Sequence, residues 1–191
     1  MWKQFRIGIV TVALTASPTM THAAEIAVTL HEVTMEGISS EIGQIRFEDS
    51  EYGLLIKPDL HGLPLGPHDT HLHENLDCGP VELDGELIPA DAAGGHYGPH
   101  KTGRLEGPYG NGALGDLPNL IVEHDGAATI PVLAPRLKVE DLHGRAAVIH
   151  AGPGRYGEGH ASHHHDEASA RRIACGVMDS GKRHRQPRNL A

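Results

Sequence analysis

Turn-forming residues divide this chain so finely that no dozen consecutive residues keep a helical period, which argues against a helical bundle. Glycine occurs 24 times and proline 13 times among 191 residues, while aromatics are scarce (Phe 2, Trp 1, Tyr 4). Between the turns the pattern alternates. Ile26, Val28 and Leu30 interleave with Ala27, Thr29 and His31, the period of two that lays one face of a strand on a core. Gln44-Ile45-Arg46-Phe47 repeats it. Gly53-Leu54-Leu55-Ile56, Ala128 to Leu133 and Arg145 to Ile149 are further short runs with Gly or Pro nearby. Short strands with frequent turns predict an all-β fold, an antiparallel sandwich or barrel. Two segments resist strand assignment, Asn75 to Pro118 and Ala151 to Ala170. Loops that long in a compact domain usually carry function.

The ends read differently from the body. Lys3 and Arg6 precede an apolar run from Ile7 to Leu14, and Thr21-His22-Ala23-Ala24 offers small residues to a signal peptidase. Residues 1–24 read as a cleaved secretory signal, too short in its apolar part for the roughly 20 residues of a membrane span. Residues 25–178 read as one domain, and 179–191, with Lys182, Arg183, Arg185 and Arg188, as a basic disordered tail. The body holds 10 basic and 24 acidic residues, a net charge of −14. So acidic a surface excludes a nucleic-acid partner. Cys78 and Cys175 in an exported chain read as one disulfide, with two free thiols as the alternative.

His71-Leu72-His73 is the sharpest local motif. On a strand, residues i and i+2 face the same way, so two imidazoles can converge on one ion. Imidazole suits copper, zinc, iron and nickel, so the motif alone does not choose a metal. Its context does. Gly62 to Asn75 (GLPLGPHDTHLHEN) is followed by Cys78, then by Ala93-Gly94-Gly95-His96-Tyr97, Gly115-Asp116-Leu117-Pro118 and Ala134-Pro135-Arg136-Leu137. Val148-Ile149-His150-Ala151-Gly152 and Arg172-Ile173-Ala174-Cys175-Gly176-Val177 complete the series. In this order and spacing the chain resembles bacterial Cu/Zn superoxide dismutases, over about Ile26 to Met178.

The resemblance implies an eight-stranded Greek-key β-barrel in the periplasm, working as a monomer or homodimer on superoxide anion. It implies copper held by His71, His73, His96 and His150, with His96 as the bridge to zinc and a proton carrier. Arg172 would guide the anion, Cys78 and Cys175 would form the disulfide, and His68 would brace loops. Glu74 reads as orienting a neighbour rather than binding metal. The zinc half departs from the pattern. His96 and Asp116 are present, but Leu105 and Ala113 stand where two further histidines belong, and Gly154 stands where an aspartate should link the two metal sites. Two protein ligands make no tight tetrahedral zinc site, so zinc is expected to be weak or absent. The histidines His100, His160, His163, His164 and His165 leave open a rebuilt zinc site, a weak second metal site or a solvated loop. The expected activity is copper-dependent superoxide dismutation; the alternative is a non-catalytic periplasmic copper-binding protein on the same fold.

Overall fold

The computed structural model describes residues 23–98, 106–154 and 170–179. Its strands are β1 (Glu25–Thr34), β2 (Gly37–Ser50), β3 (Gly53–Leu60), β4 (Gly66–His68), β5 (Thr70–His73), β6 (Val81–Leu83), β7 (Glu86–Ile88), β8 (Leu120–Val122), β9 (Val132–Ala134), β10 (Arg145–His150) and β11 (Arg172–Met178). Two short 3₁₀ turns, Asp91–Ala93 and Val139–Leu142, lie between the strands. The all-β expectation holds.

Seven strands make one antiparallel sheet in the order β5-β10-β11-β1-β2-β3-β9. A second ladder, β4 with β8, links its two sides. β4 runs into β5 across the single residue Asp69. Ala128, just past β8, exchanges backbone bonds with Leu60 at the end of β3 (2.9 and 3.2 Å). The sheet is thereby curled towards a closed barrel.

The interior follows from the alternation. Val28 and Leu30 of β1 are buried with Ile45 and Phe47 of β2 and Leu54, Ile56 and Leu60 of β3. Leu30 lies opposite Gly43, where the register of the β1–β2 pair begins to shift. Gly43 has a φ of +119°, and a Cβ there would lie 2.1 Å from the Asp59 carbonyl oxygen. Only glycine fits this bulged position.

Two segments differ from the sequence reading. Of the run from Ala128 to Leu133, only the end belongs to a strand, β9, because Pro131 has no N–H to give a ladder. The segment from Asn75 to Pro118 contains a small hairpin, β6–β7. Its turn, Asp84-Gly85, has φ of 51° and 86°, the mirror-image turn geometry that twists with its strands.

Candidate metal centre

All four residues of β5 are buried. Leu72 points into the main hydrophobic core, while His71 and His73 share the opposite face. β5 pairs with β10, His71 opposite Val148 and His73 opposite Ala146. β10 ends at His150, itself opposite Arg172 of β11. His96 arrives from the long segment after β5. The Leu72 carbonyl accepts from Tyr97 N–H (2.8 Å), the Leu72 N–H donates to Gly115 (2.8 Å), and Gly115 N–H donates to Tyr97 (2.6 Å). A Cβ on Gly115 would lie 2.4 Å from the Leu72 carbonyl oxygen, so this three-way strap requires glycine.

One nitrogen from each of His71, His73, His96 and His150 lies within 4.8 Å of the others. Every ring has its other nitrogen engaged. Nδ1 of His73 donates to the Gly94 carbonyl (2.8 Å), and Nδ1 of His150 to the Ala170 carbonyl (2.7 Å). Nδ1 of His96 donates to Asp116 Oδ1 (3.2 Å), and Nε2 of His71 lies within ion-pair distance of Asp69 Oδ2 (3.0 Å). Such outer bonds fix the tautomer, so the lone pairs left for a ligand are Nδ1 of His71 and Nε2 of the other three. Two of these lone pairs, His71 Nδ1 and His150 Nε2, face each other at 3.1 Å. Nε2 of His73 is buried with no hydrogen-bond partner.

A buried orphan acceptor is costly unless something answers it. Four converging lone pairs with an orphan among them fit a metal ion that takes imidazole, copper included. The titration of the rings agrees. Burial, reinforced by the nearby His96, His71 and Arg172, holds His73 well below 6.5. Burial pushes His150 down to about 4, against the opposing pull of the Ala170 carbonyl and the Asp69 carboxylate. Both rings are neutral at pH 7, the form that binds metal.

Arg172 stands beside this group. Its guanidinium donates to the carbonyls of Ala90 (2.6 Å) and Gly94 (3.0 Å) and pairs with Asp91 (3.1 Å). The Gly94 carbonyl thus serves both Arg172 and His73. Burial lowers the Arg172 pKa, and Asp91 raises it. Cys78 and Cys175 form a disulfide that ties the segment after β5 to β11, next to this arginine. His68 bridges the carbonyls of Pro64 and His150 (both 2.7 Å) and lies outside the four-histidine group. Glu74, also outside it, donates its backbone N–H to Gly95 (3.0 Å).

Of the expected zinc pair, Asp116 is buried and turned to His96, so the two bond each other. Arg136 spans the segment before Asp116, donating to the carbonyls of Gly107, Pro108, Gly112 and Ala113 (2.7–3.2 Å). His100, Leu105, His160, His163, His164 and His165 lie outside the described residues, as do residues 1–22 and 180–191.

Sequence reasoning named the four histidines, Arg172 and Asp116 but passed over Asp69, Arg136 and the carbonyls of Gly94 and Ala170. Backbone acceptors carry no residue identity. Asp69 had a signal, an acid between two histidine motifs, but its partner is set by folding.

The profile of the copper/zinc superoxide dismutase (SODC) family matches residues 41–178. The copper-zinc superoxide dismutase of Legionella pneumophila is 46% identical over 137 residues, 72% of this chain and 77% of that protein. Among solved structures, the Cu/Zn superoxide dismutase of Brucella abortus superposes with a TM-score of 0.76 at 35% identity, over 82% of this chain and all of that one. The monomeric copper, zinc superoxide dismutase of Salmonella enterica gives 0.72 at 41% identity, again over 82% of this chain and all of the other.

Proposed function

The chain belongs to the copper/zinc superoxide dismutase family, and from that premise we propose that it converts superoxide to O₂ and H₂O₂ at one copper ion held by His71, His73, His96 and His150, with little or no need of zinc. The observation that carries the reading is the set of four imidazoles, three bonded outward through one nitrogen and the fourth, His71, set against the Asp69 carboxylate, all turned inward through the other nitrogen.

Copper, when bound, supplies the one-electron redox chemistry that zinc lacks. The protein groups do the rest. Asp69, Asp116, Gly94 and Ala170 keep the rings from turning. His96 is about a third exposed at its side chain, more open than its partners, which suits it to pass protons between solvent and product. Asp116 gives His96 a negatively charged partner at Nδ1. Arg172 offers an anion its positive charge at the rim of the site. That local charge must outweigh the field of a body at −14 within the Debye length of about 8–10 Å.

Superoxide decay followed on copper-loaded protein, with and without added zinc, tests the reading. The expected rate far exceeds that of free aqueous copper, changes less than about twofold with zinc, and falls about tenfold or more in Arg172→Ala, the scale of lost electrostatic guidance. A rate equal to free copper and indifferent to Arg172 would leave the copper-binding alternative.

The same premise extends to setting. We infer export to the periplasm with residues 1–24 removed, supported by the disulfide, which needs an oxidising compartment. The acidic body speaks against nucleic-acid binding, and monomer or homodimer is the assembly proposed. No helix among the described residues is long and apolar enough to cross a membrane.

A further inference from the structure

Asp69 occupies a particular place in this fold. It is the single residue between β4 and β5, and its backbone is pinned on both sides. Its N–H donates to the Gly152 carbonyl (2.7 Å), and its carbonyl accepts from His150 N–H (2.9 Å). Its side chain, largely buried, turns towards His71 and meets Nε2 at 3.0 Å. The same carboxylate lies against Gly154. A Cβ added there would stand 2.4 Å from Oδ1, 2.7 Å from Cγ and 3.0 Å from Oδ2 of Asp69, its three nearest atoms. Gly154 needs no unusual φ, so nothing in its backbone demands glycine. What a Cβ there would meet is the carboxylate opposite, which would have to move aside.

We propose that Asp69 and Gly154 form one coupled pair: Asp69 is the positioning residue that holds His71 by its Nε2–H, and the missing side chain at Gly154 makes the room in which it does so. The proposal rests on the copper reading of the four histidines and names a residue that acts on the ion only through His71. A carboxylate behind a ligating imidazole fixes the ring and raises its basicity, typically changing metal affinity 10- to 100-fold. The pair also bears on the absence of a carboxylate at position 154. The acid is supplied from the β4–β5 junction instead, and either position can hold it but not both.

The test uses the full chain, with Cu(II) affinity read by chelator competition and the His71 ring by imidazole ¹⁵N NMR of the copper-free protein. Asp69→Ala is expected to lower copper affinity by about 10- to 100-fold and to remove the hydrogen-bonded Nε2–H signal of His71. Gly154→Ala is expected to do nearly the same by pushing the carboxylate aside. The double variant D69A/G154A should be no worse than Asp69→Ala alone, and D69A/G154D should recover the affinity to within about threefold of wild type, as coupled neighbours require. Copper affinity and a His71 spectrum unchanged in Asp69→Ala, in a wild type that binds copper, would overturn the role of Asp69 alone. Full additivity of Asp69→Ala and Gly154→Ala would overturn the pairing. A wild-type chain that shows the His71–Asp69 bond yet takes up no copper would overturn the copper reading itself, and this role with it.

Discussion

At the scale of single residues, His73 shows most clearly what the site is for. Its ring is fully buried, its Nδ1 is committed to the Gly94 carbonyl, and its Nε2 has no protein partner. An acceptor left in that state costs about 1–3 kcal/mol, and a metal ion would relieve it. Asp116 is the complementary case, a buried carboxylate whose role passes through His96. Asp116→Asn keeps the shape but weakens the bond to His96 Nδ1. Copper affinity measured by chelator competition should fall about 10-fold or more, whereas an unchanged affinity would show that Asp116 only packs. The four clustered histidines could be read from the sequence because side-chain motifs carry them. The Gly94 and Ala170 carbonyls could not, because any residue supplies a carbonyl and only the fold decides which one faces a ring.

At the scale of elements, β5 explains why alternation fails as a guide near the centre. Thr70 and Leu72 face one way and His71 and His73 the other, yet all four are buried because a functional cluster covers the second face. β1, with one face to solvent, alternates as far as Leu30, before its register shifts, and was legible there. The β6–β7 hairpin was missed although Asp84-Gly85 announces its turn, because its flanking strands are three residues each and mostly exposed, with no buried face to set a period. The segment before Asp116 is held by Arg136 through four carbonyls. Arg136→Ala should loosen it, seen as faster amide hydrogen exchange over residues 106–116; unchanged exchange would show that the segment is held otherwise. The disulfide closes a loop with a sequence separation of 97, worth roughly 4–5 kcal/mol on the chain-entropy account. Replacing both cysteines by serine should lower Tm by several degrees or more, measured calorimetrically, and an unchanged Tm would count against that account.

At the scale of the whole molecule, the fold class was legible because Gly and Pro punctuation and short alternating runs are distributed along the entire chain. The β4–β8 ladder that curls the sheet was not, since it depends on pairing between strands of three residues each, although the family resemblance already implied a barrel. Charge and burial act at this scale as well. In the copper-free chain, burial holds His150 at about 4 and His73 well below 6.5. As pH falls through 6.5 the unfolded chain takes up protons on these rings while the folded chain does not, so the unfolded state binds more protons and stability drops. The urea midpoint of copper-free protein should therefore decline from pH 7 towards pH 5, and a flat or rising midpoint would contradict neutral buried rings. Copper, by occupying the same lone pairs, should raise the midpoint at every pH and leave the decline in place, because the bound rings stay unprotonated while the unfolded chain still takes up protons. The central claim is that four imidazoles from β5, β10 and the segment between them make one copper site that stands without zinc. Titrating Cu(II) into the full chain in zinc-free buffer measures this directly. The account predicts one tightly held equivalent per chain, lost in His73→Ala; uptake that needs zinc first, or that survives His73→Ala undiminished, would contradict it.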